Sequence, residues 1–250
     1  MMSLRQIALA TLAAPLALGL AACGSEPAAE GEAPTGDPVD PVEAPSGTEW
    51  LDMVQVTEAD GYLLGNPDAP IKLMEYASLT CPACAAFAQQ GIEPLKEKYI
   101  STGVVSYELR NQIHGPHDLV LARLVRCGAK EAYHPLSEQV WANLQSVLQP
   151  VFENQEAVQQ AMSLPPEQRF AAFADVAGFY DFFAARGLSR DQARQCLSDP
   201  AAMETIATNS ETQSQELNVT GTPTFFINGR NVGTQSWSTL EPMLQAAGAR

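Results

Sequence analysis

The clearest chemistry in this 250-residue chain is carried by Cys81-Pro82-Ala83-Cys84. The stretch stands between Ile71-Lys72-Leu73-Met74-Glu75-Tyr76-Ala77, an apolar run that reads as a buried strand, and Ala85-Ala86-Phe87-Ala88-Gln89-Gln90, which opens a helix. Two residues three apart on a helix share a face, so the two sulfurs are close enough to bond. The first sulfur also falls where the unpaired N–H groups of a helix N-terminus favour a thiolate. A C-x-x-C at such a junction is a redox signature. Structural zinc would need a second ligand pair at short spacing, which is absent; two unrelated buried cysteines remain the bland alternative.

The other cysteines are Cys23, Cys127 and Cys196. Met1 to Gln6 carries one positive charge, Arg5, and Ile7 to Ala22 is apolar and alanine-rich, as in an export signal. Leu20-Ala21-Ala22-Cys23 resembles a bacterial lipobox, which implies removal of residues 1–22 and lipidation of Cys23. Ordinary signal cleavage beside a chance cysteine is the alternative. Acyl chains would then anchor the chain, and stable attachment takes more than one of them. An exported protein lives where disulfides persist, which favours a Cys127–Cys196 bridge over two free thiols. Closing so long a loop stabilises by about 4 kcal/mol in the chain-entropy model.

Composition narrows the partners. The net charge of −15 gives no basic surface for a phosphate backbone, which argues against nucleic acid. His114, His117 and His134 have no helical ligand spacing and no supporting cysteine or carboxylate cluster, so no metal site is expected. They read as loop or helix-start residues; the Asn111–Asp118 segment also lies near the end of a strand, where a minor role in substrate contact is open.

The elements that must position these groups follow in order. Residues 23–49 are rich in Ala, Pro, Glu and Gly with few large apolar side chains, and read as a disordered tether. The folded part begins near Trp50, with a short strand or helical turn to Thr57 and a turn cluster at 65–70. A helix from Pro82 to about Tyr99 carries Pro94 inside it, where a kink or division is expected. Val104–Leu109 is a second strand. Residues 111–217 read as helical, with a capping box at Ser189-Arg190-Asp191-Gln192 and another start at Asp199-Pro200. Thr224–Ile227, Asn228-Gly229 and Arg230–Val232 form a hairpin with a type I′ turn, and Ser236 or Ser238 caps a last helix.

Strand, C-P-x-C, helix, strand, helical insert, Gly221-Thr222-Pro223-Thr224-Phe225-Phe226-Ile227-Asn228-Gly229 hairpin, helix: this order resembles the DsbA-like branch of the thioredoxin superfamily from Met53 to Ala247. The resemblance implies an α/β thioredoxin fold, in residues 50–250, with a large helical insertion between the second and third core strands. It also implies that Cys81 is the nucleophile, Cys84 the resolving thiol, and Thr222-Pro223 a cis-proline loop opposite the nucleophile. Pro82, Ala83, Thr222 and Pro223 would then meet substrate; by itself Thr222-Pro223 reads as a plain turn. Glu75 matches a buried acid beneath the resolving cysteine, although alternation along the strand could equally turn it to solvent.

The resemblance further implies thiol–disulfide exchange with no cofactor beyond the Cys81–Cys84 disulfide. The first expectation is a monomeric disulfide-forming oxidase on the periplasmic face of a bacterial envelope, acting on unfolded or reduced exported proteins and reset by a membrane redox partner. A reductase, an isomerase or a non-catalytic binding lipoprotein are the rivals. Ala83 stands where DsbA carries histidine, which predicts a less depressed Cys81 thiol and a less oxidising pair.

Overall fold

The computed structural model describes residue 31 and residues 33–250. The expected signal segment 1–22 and Cys23 lie outside the described residues. One mixed sheet runs in the order β1-β2-β4-β3-β5-β6, built from β1 (Val54–Val56), β2 (Tyr62–Leu64), β3 (Ile71–Ala77), β4 (Val105–Asn111), β5 (Thr224–Ile227) and β6 (Arg230–Gly233). Among the described residues only β3 and β4 pair in parallel, which is why a helical crossover joins them, while the antiparallel β5 and β6 are joined by a tight turn.

Alternation in β3 decides where its side chains go. Leu73 pairs with Tyr107 and Ile227, and Glu75 with Leu109 and Phe225. These residues form one face, and Leu73, Tyr107, Leu109, Phe225 and Ile227 all belong to the main apolar core. Met74 and Tyr76 point the other way, where Tyr76 and Phe226 make a smaller cluster with Val219. Glu75 therefore faces inward and is wholly buried.

The crossover begins as α1 (Pro82–Phe87), continues through a π-type stretch Ala88–Ile92 and α2 (Glu93–Leu95), and closes with a second π-type stretch Lys96–Ile100. Pro94 divides nothing here. It offers no N–H to the Gln90 carbonyl, and the wider turns on either side absorb the missing bond without breaking the helix. Phe87 packs on Phe225 at 4.6 Å between ring centroids, so the buried side of α1 closes over the Glu75 face.

The helical insertion runs from α3 (Pro116–Leu124) through α4 (Tyr133–Ala142), α5 (Leu144–Glu153), α6 (Gln155–Met162), α7 (Pro166–Val176), α8 (Phe179–Ala184) and α9 (Arg190–Leu197) to α10 (Pro200–Glu216). It falls between β4 and β5, as the element order predicts. Ser189 and Gln192 make a reciprocal capping box at α9, and Asp199 caps α10. Cys127 and Cys196 are bonded across 69 residues with their Cα atoms 5.9 Å apart, which ties the end of α3 to α9. At the β5–β6 turn, Asn228 and Gly229 both have positive φ, the requirement of a type I′ turn. Ser236 then caps α11 (Trp237–Ala246).

Near Trp50 both expected forms occur, a helical turn at Trp50–Asp52 followed by strand β1; its hairpin partner β2 is not legible in the sequence, because a three-residue strand carries too little alternation. One expectation is corrected. Residues 33–49 are ordered against the domain rather than a free tether. Gly36 and Val39 donate backbone bonds to Ala246 and Gly248, Val42 donates to Thr102, and the Trp50 indole donates to Val42. Backbone pairing, which composition does not report, holds a segment with few large apolar side chains, of which Val39 packs on the core. Gly36 and Gly248 are required there, since a Cβ on either would strike the opposing backbone.

Candidate redox site

The site sits at the C-terminal end of β3, where Ser78–Thr80 turns the chain into α1. Two side chains brought from the insertion hold that turn. The buried Asp118 carboxylate accepts from the Leu79 N–H at 3.0 Å and the His114 N–H at 2.9 Å, and the Trp141 indole donates to the Ser78 carbonyl at 3.0 Å. Burial pushes the Asp118 carboxyl up to about 6. Neither Asp118 nor Trp141 was singled out for the site by local spacing: they lie 39 and 63 residues from their loop partners.

Cys81 is the N-cap of α1, with Pro82 in the first turn. Its sulfur accepts the Cys84 N–H at 3.3 Å and as a thiol donates to the Thr222 carbonyl at 3.4 Å. The Thr222-Pro223 bond is cis, and this loop lies directly against the nucleophile. Cys81 retains 8% exposure whereas Cys84 has none. Pro82 and Ala83 are exposed beside them. The two thiols are unbonded in this structure.

The electrostatics split the pair. The hydrogen bond across to Cys84, the Thr222 side chain and the backbone N–H groups of Cys84 and Ala83 together outweigh burial and hold the Cys81 thiol down at about 5. Burial pushes the Cys84 thiol far above its ordinary range, reinforced by the bond to Cys81 and by the Glu75 charge. Glu75 is itself pushed up to about 8, chiefly by burial, with the Cys81 charge adding to it. Its Oε2 accepts a 2.5 Å bond from the Tyr107 hydroxyl, while Oε1 is buried with no protein partner. Tyr107 is a member that the sequence reading missed.

Such an arrangement can perform thiol–disulfide exchange. One sulfur is an accessible thiolate at neutral pH, the other a buried thiol that attacks only after losing its proton.

Of the three histidines, His134 lies apart from this centre. His134 is buried in the first turn of α4, its Nε2 3.0 Å from the Tyr62 carbonyl, and burial holds it neutral at about 3. His117 stands in the first turn of α3 and His114 in the preceding loop. No metal-binding cluster of His, Cys, Asp or Glu occurs among the described residues. Beside α1 an open groove of about 1220 Å³ is lined by Thr80, Pro82, Ala85, Trp141, Leu148 and Phe152, among others, and Phe152 is 58% exposed.

Residues 57–246 match a family model described as Thioredoxin. The chain belongs to the thioredoxin family. Within that family it is similar to a solved protein-disulfide isomerase from Novosphingobium aromaticivorans, with 32% identity and a TM-score of 0.69 over 74% of this chain and 95% of that one. Wolbachia pipientis alpha-DsbA1 shares 26% identity at a TM-score of 0.62, over 76% and 92% of the two chains. These relatives place it in the DsbA-like branch of the thioredoxin superfamily. A Rickettsia felis protein named "Putative protein-disulfide oxidoreductase" is 28% identical over 235 residues, which are 90% of this chain and 77% of that one. The chain spans less of a longer relative of that kind from Rickettsia typhi, 57% of its length.

Proposed function

We propose that this thioredoxin-family thiol:disulfide oxidoreductase forms disulfides in exported proteins, held to the periplasmic face of the envelope through a lipidated Cys23. The observation that carries the direction is the Cys81 sulfur, accepting the Cys84 N–H at a helix N-terminus and held near 5. A stabilised thiolate stabilises the reduced pair, and a pair that is stable when reduced is an oxidant.

In that role a substrate thiolate attacks Cys81 of the Cys81–Cys84 disulfide. The substrate sulfur bonds to Cys81, and Cys84 leaves as a thiolate that takes up a proton from Glu75. A second substrate thiolate then attacks the substrate sulfur of the mixed disulfide, which releases oxidised product and the Cys81 thiolate. Two electrons have passed to the enzyme, and a membrane redox partner removes them. Pro223 has no N–H, and the Thr222 carbonyl beside Cys81 offers an acceptor to an extended substrate segment. Pro82 and Ala83 form the exposed rim that segment crosses.

Thiol trapping in the native compartment tests the direction. An oxidase is recovered mainly as the Cys81–Cys84 disulfide; a mainly dithiol protein overturns the reading in favour of a reductase or of the isomerase activity named for the Novosphingobium relative. The potential is a second check. Cys81 near 5 lies between the values of about 3.5 for DsbA and about 7 for thioredoxin. The expected potential is accordingly between about −270 mV and about −120 mV, measured against glutathione.

A further inference from the structure

His114 takes no part in the exchange steps above, yet the fold fixes it beside them. Its backbone N–H is held by Asp118 Oδ2, and Asp118 Oδ1 holds the Leu79 N–H of the turn that carries Cys81. Asp118 is wholly buried, so this carboxylate staples the β4–α3 loop to the β3–α1 turn. The imidazole Nε2 then stands 3.4 Å from Thr222 Oγ1, while the carbonyl of the same Thr222 meets Cys81 Sγ at 3.4 Å. One residue, Thr222, bridges the imidazole and the nucleophile.

We propose that His114 is a positioning residue for the redox pair: its imidazolium, held on Thr222, stabilises the Cys81 thiolate and, through the histidine range, steepens the rise in potential with falling pH that proton uptake at Cys84 already gives. The claim rests on thiol–disulfide exchange at Cys81 and Cys84 but not on its direction in the cell. When Nε2 is protonated it donates to Thr222 Oγ1, which leaves the threonine hydroxyl hydrogen to the sulfur. Hydrogen bonding from the Thr222 side chain already favours the Cys81 thiolate.

Histidine is the side chain that gains charge between about pH 5 and 8. In the oxidised protein Cys81 is a neutral disulfide sulfur, and the imidazolium has no thiolate to face. In the reduced protein it does. By reciprocity, whatever factor the imidazolium contributes to the thiolate, the thiolate returns to the proton affinity of His114. Reduction therefore takes up part of a proton at His114.

Two other titratable groups face His114. His117, in the first turn of α3, is held down by burial and by the His114 charge. Asp118 accepts the His114 N–H and favours the imidazolium when ionised. Asp118 is held up at about 6, so the test must leave it in place.

His114→Gln does so, removing the charge while keeping a donor for Thr222. The equilibrium constant with glutathione is measured for both proteins at pH 5.5 and pH 8. The variant is expected to hold its reduced form about twofold or more weakly at pH 5.5 and equally at pH 8, the former being half a pK unit of coupling read where a Cys81 thiol near 5 is only partly ionised. Proton NMR of the unaltered protein gives an independent reading: the His114 ring titrates at higher pH in the reduced than in the oxidised state. A variant effect of equal size at both pH values, or a His114 midpoint blind to redox state, overturns the proposal. A protein found mainly as dithiol in the cell would end the oxidase reading and leave this result standing.

Discussion

Cys84→Ser is expected to turn the protein into a covalent trap. Cys81 keeps the Cys84-position backbone N–H and the helix N-terminus, so it still attacks disulfides of other proteins as a thiolate. The mixed disulfide then has no internal thiol to release it. An intramolecular thiol competes at an effective concentration far above that of thiols in solution, so release slows by on the order of 10³ or more. Affinity purification from the native compartment, followed by electrophoresis with and without reductant, should show adducts that collapse on reduction. Cys81→Ser should show none, because the remaining Cys84 is fully buried and its thiol is held far above the ordinary range. A Cys84→Ser protein that captures nothing would favour the binding-module rival over an enzyme.

Glu75→Gln should have the second largest effect, and it separates stability from turnover. Folded Glu75 holds its proton up to about pH 8, against an ordinary value of 4.5. Between those values the folded protein binds more protons than the unfolded chain, so stability falls as pH rises through that window. The cost above pH 8 has a ceiling on the order of 5 kcal/mol, at about 1.4 kcal/mol per unit. Glutamine cannot ionise. Denaturant unfolding of the variant should be flatter with pH, with its advantage over the unaltered protein growing from about pH 5 to pH 8. The gap should narrow in the oxidised protein, because the Cys81 charge that helps hold Glu75 up disappears in the disulfide.

Activity should move the other way. Glu75 Oε1 is a buried acceptor with no protein partner, while Oε2 is occupied by Tyr107. A proton-transfer group of this kind contributes roughly 10²–10⁴-fold, so single-turnover exchange should slow by about that much when Cys84 must gain or lose its proton. Alkylation of Cys81 alone should change little. A variant that exchanges at the original rate would leave Glu75 with only a structural part.

What could be read without coordinates was local. Cys81-Pro82-Ala83-Cys84 states its chemistry in four residues because helix geometry brings i and i+3 together whatever surrounds them. Asn228-Gly229 and the Ser189–Gln192 box are legible for the same reason: each satisfies its own backbone within a few residues. The order of strands and helices follows from hydrophobic period, and it located the insertion between β4 and β5. Local reading failed where the decisive partners were distant. Residues 33–49 look like tether by composition, yet backbone bonds to 102 and 246–248 hold them.

The C-P-x-C stretch by itself determined that two sulfurs stand at a helix N-terminus and can trade a disulfide. Only the tertiary structure decided how differently they behave. The Cys81 sulfur faces the Thr222 carbonyl from 141 residues away, Cys84 is sealed on the buried side of α1 with Glu75 buried nearby, and Asp118 and Trp141 hold the turn that aims them. Spacing sets which atoms can meet, but a thiol's proton affinity is set by burial and by neighbouring charge, and those come from chain segments that only folding brings together.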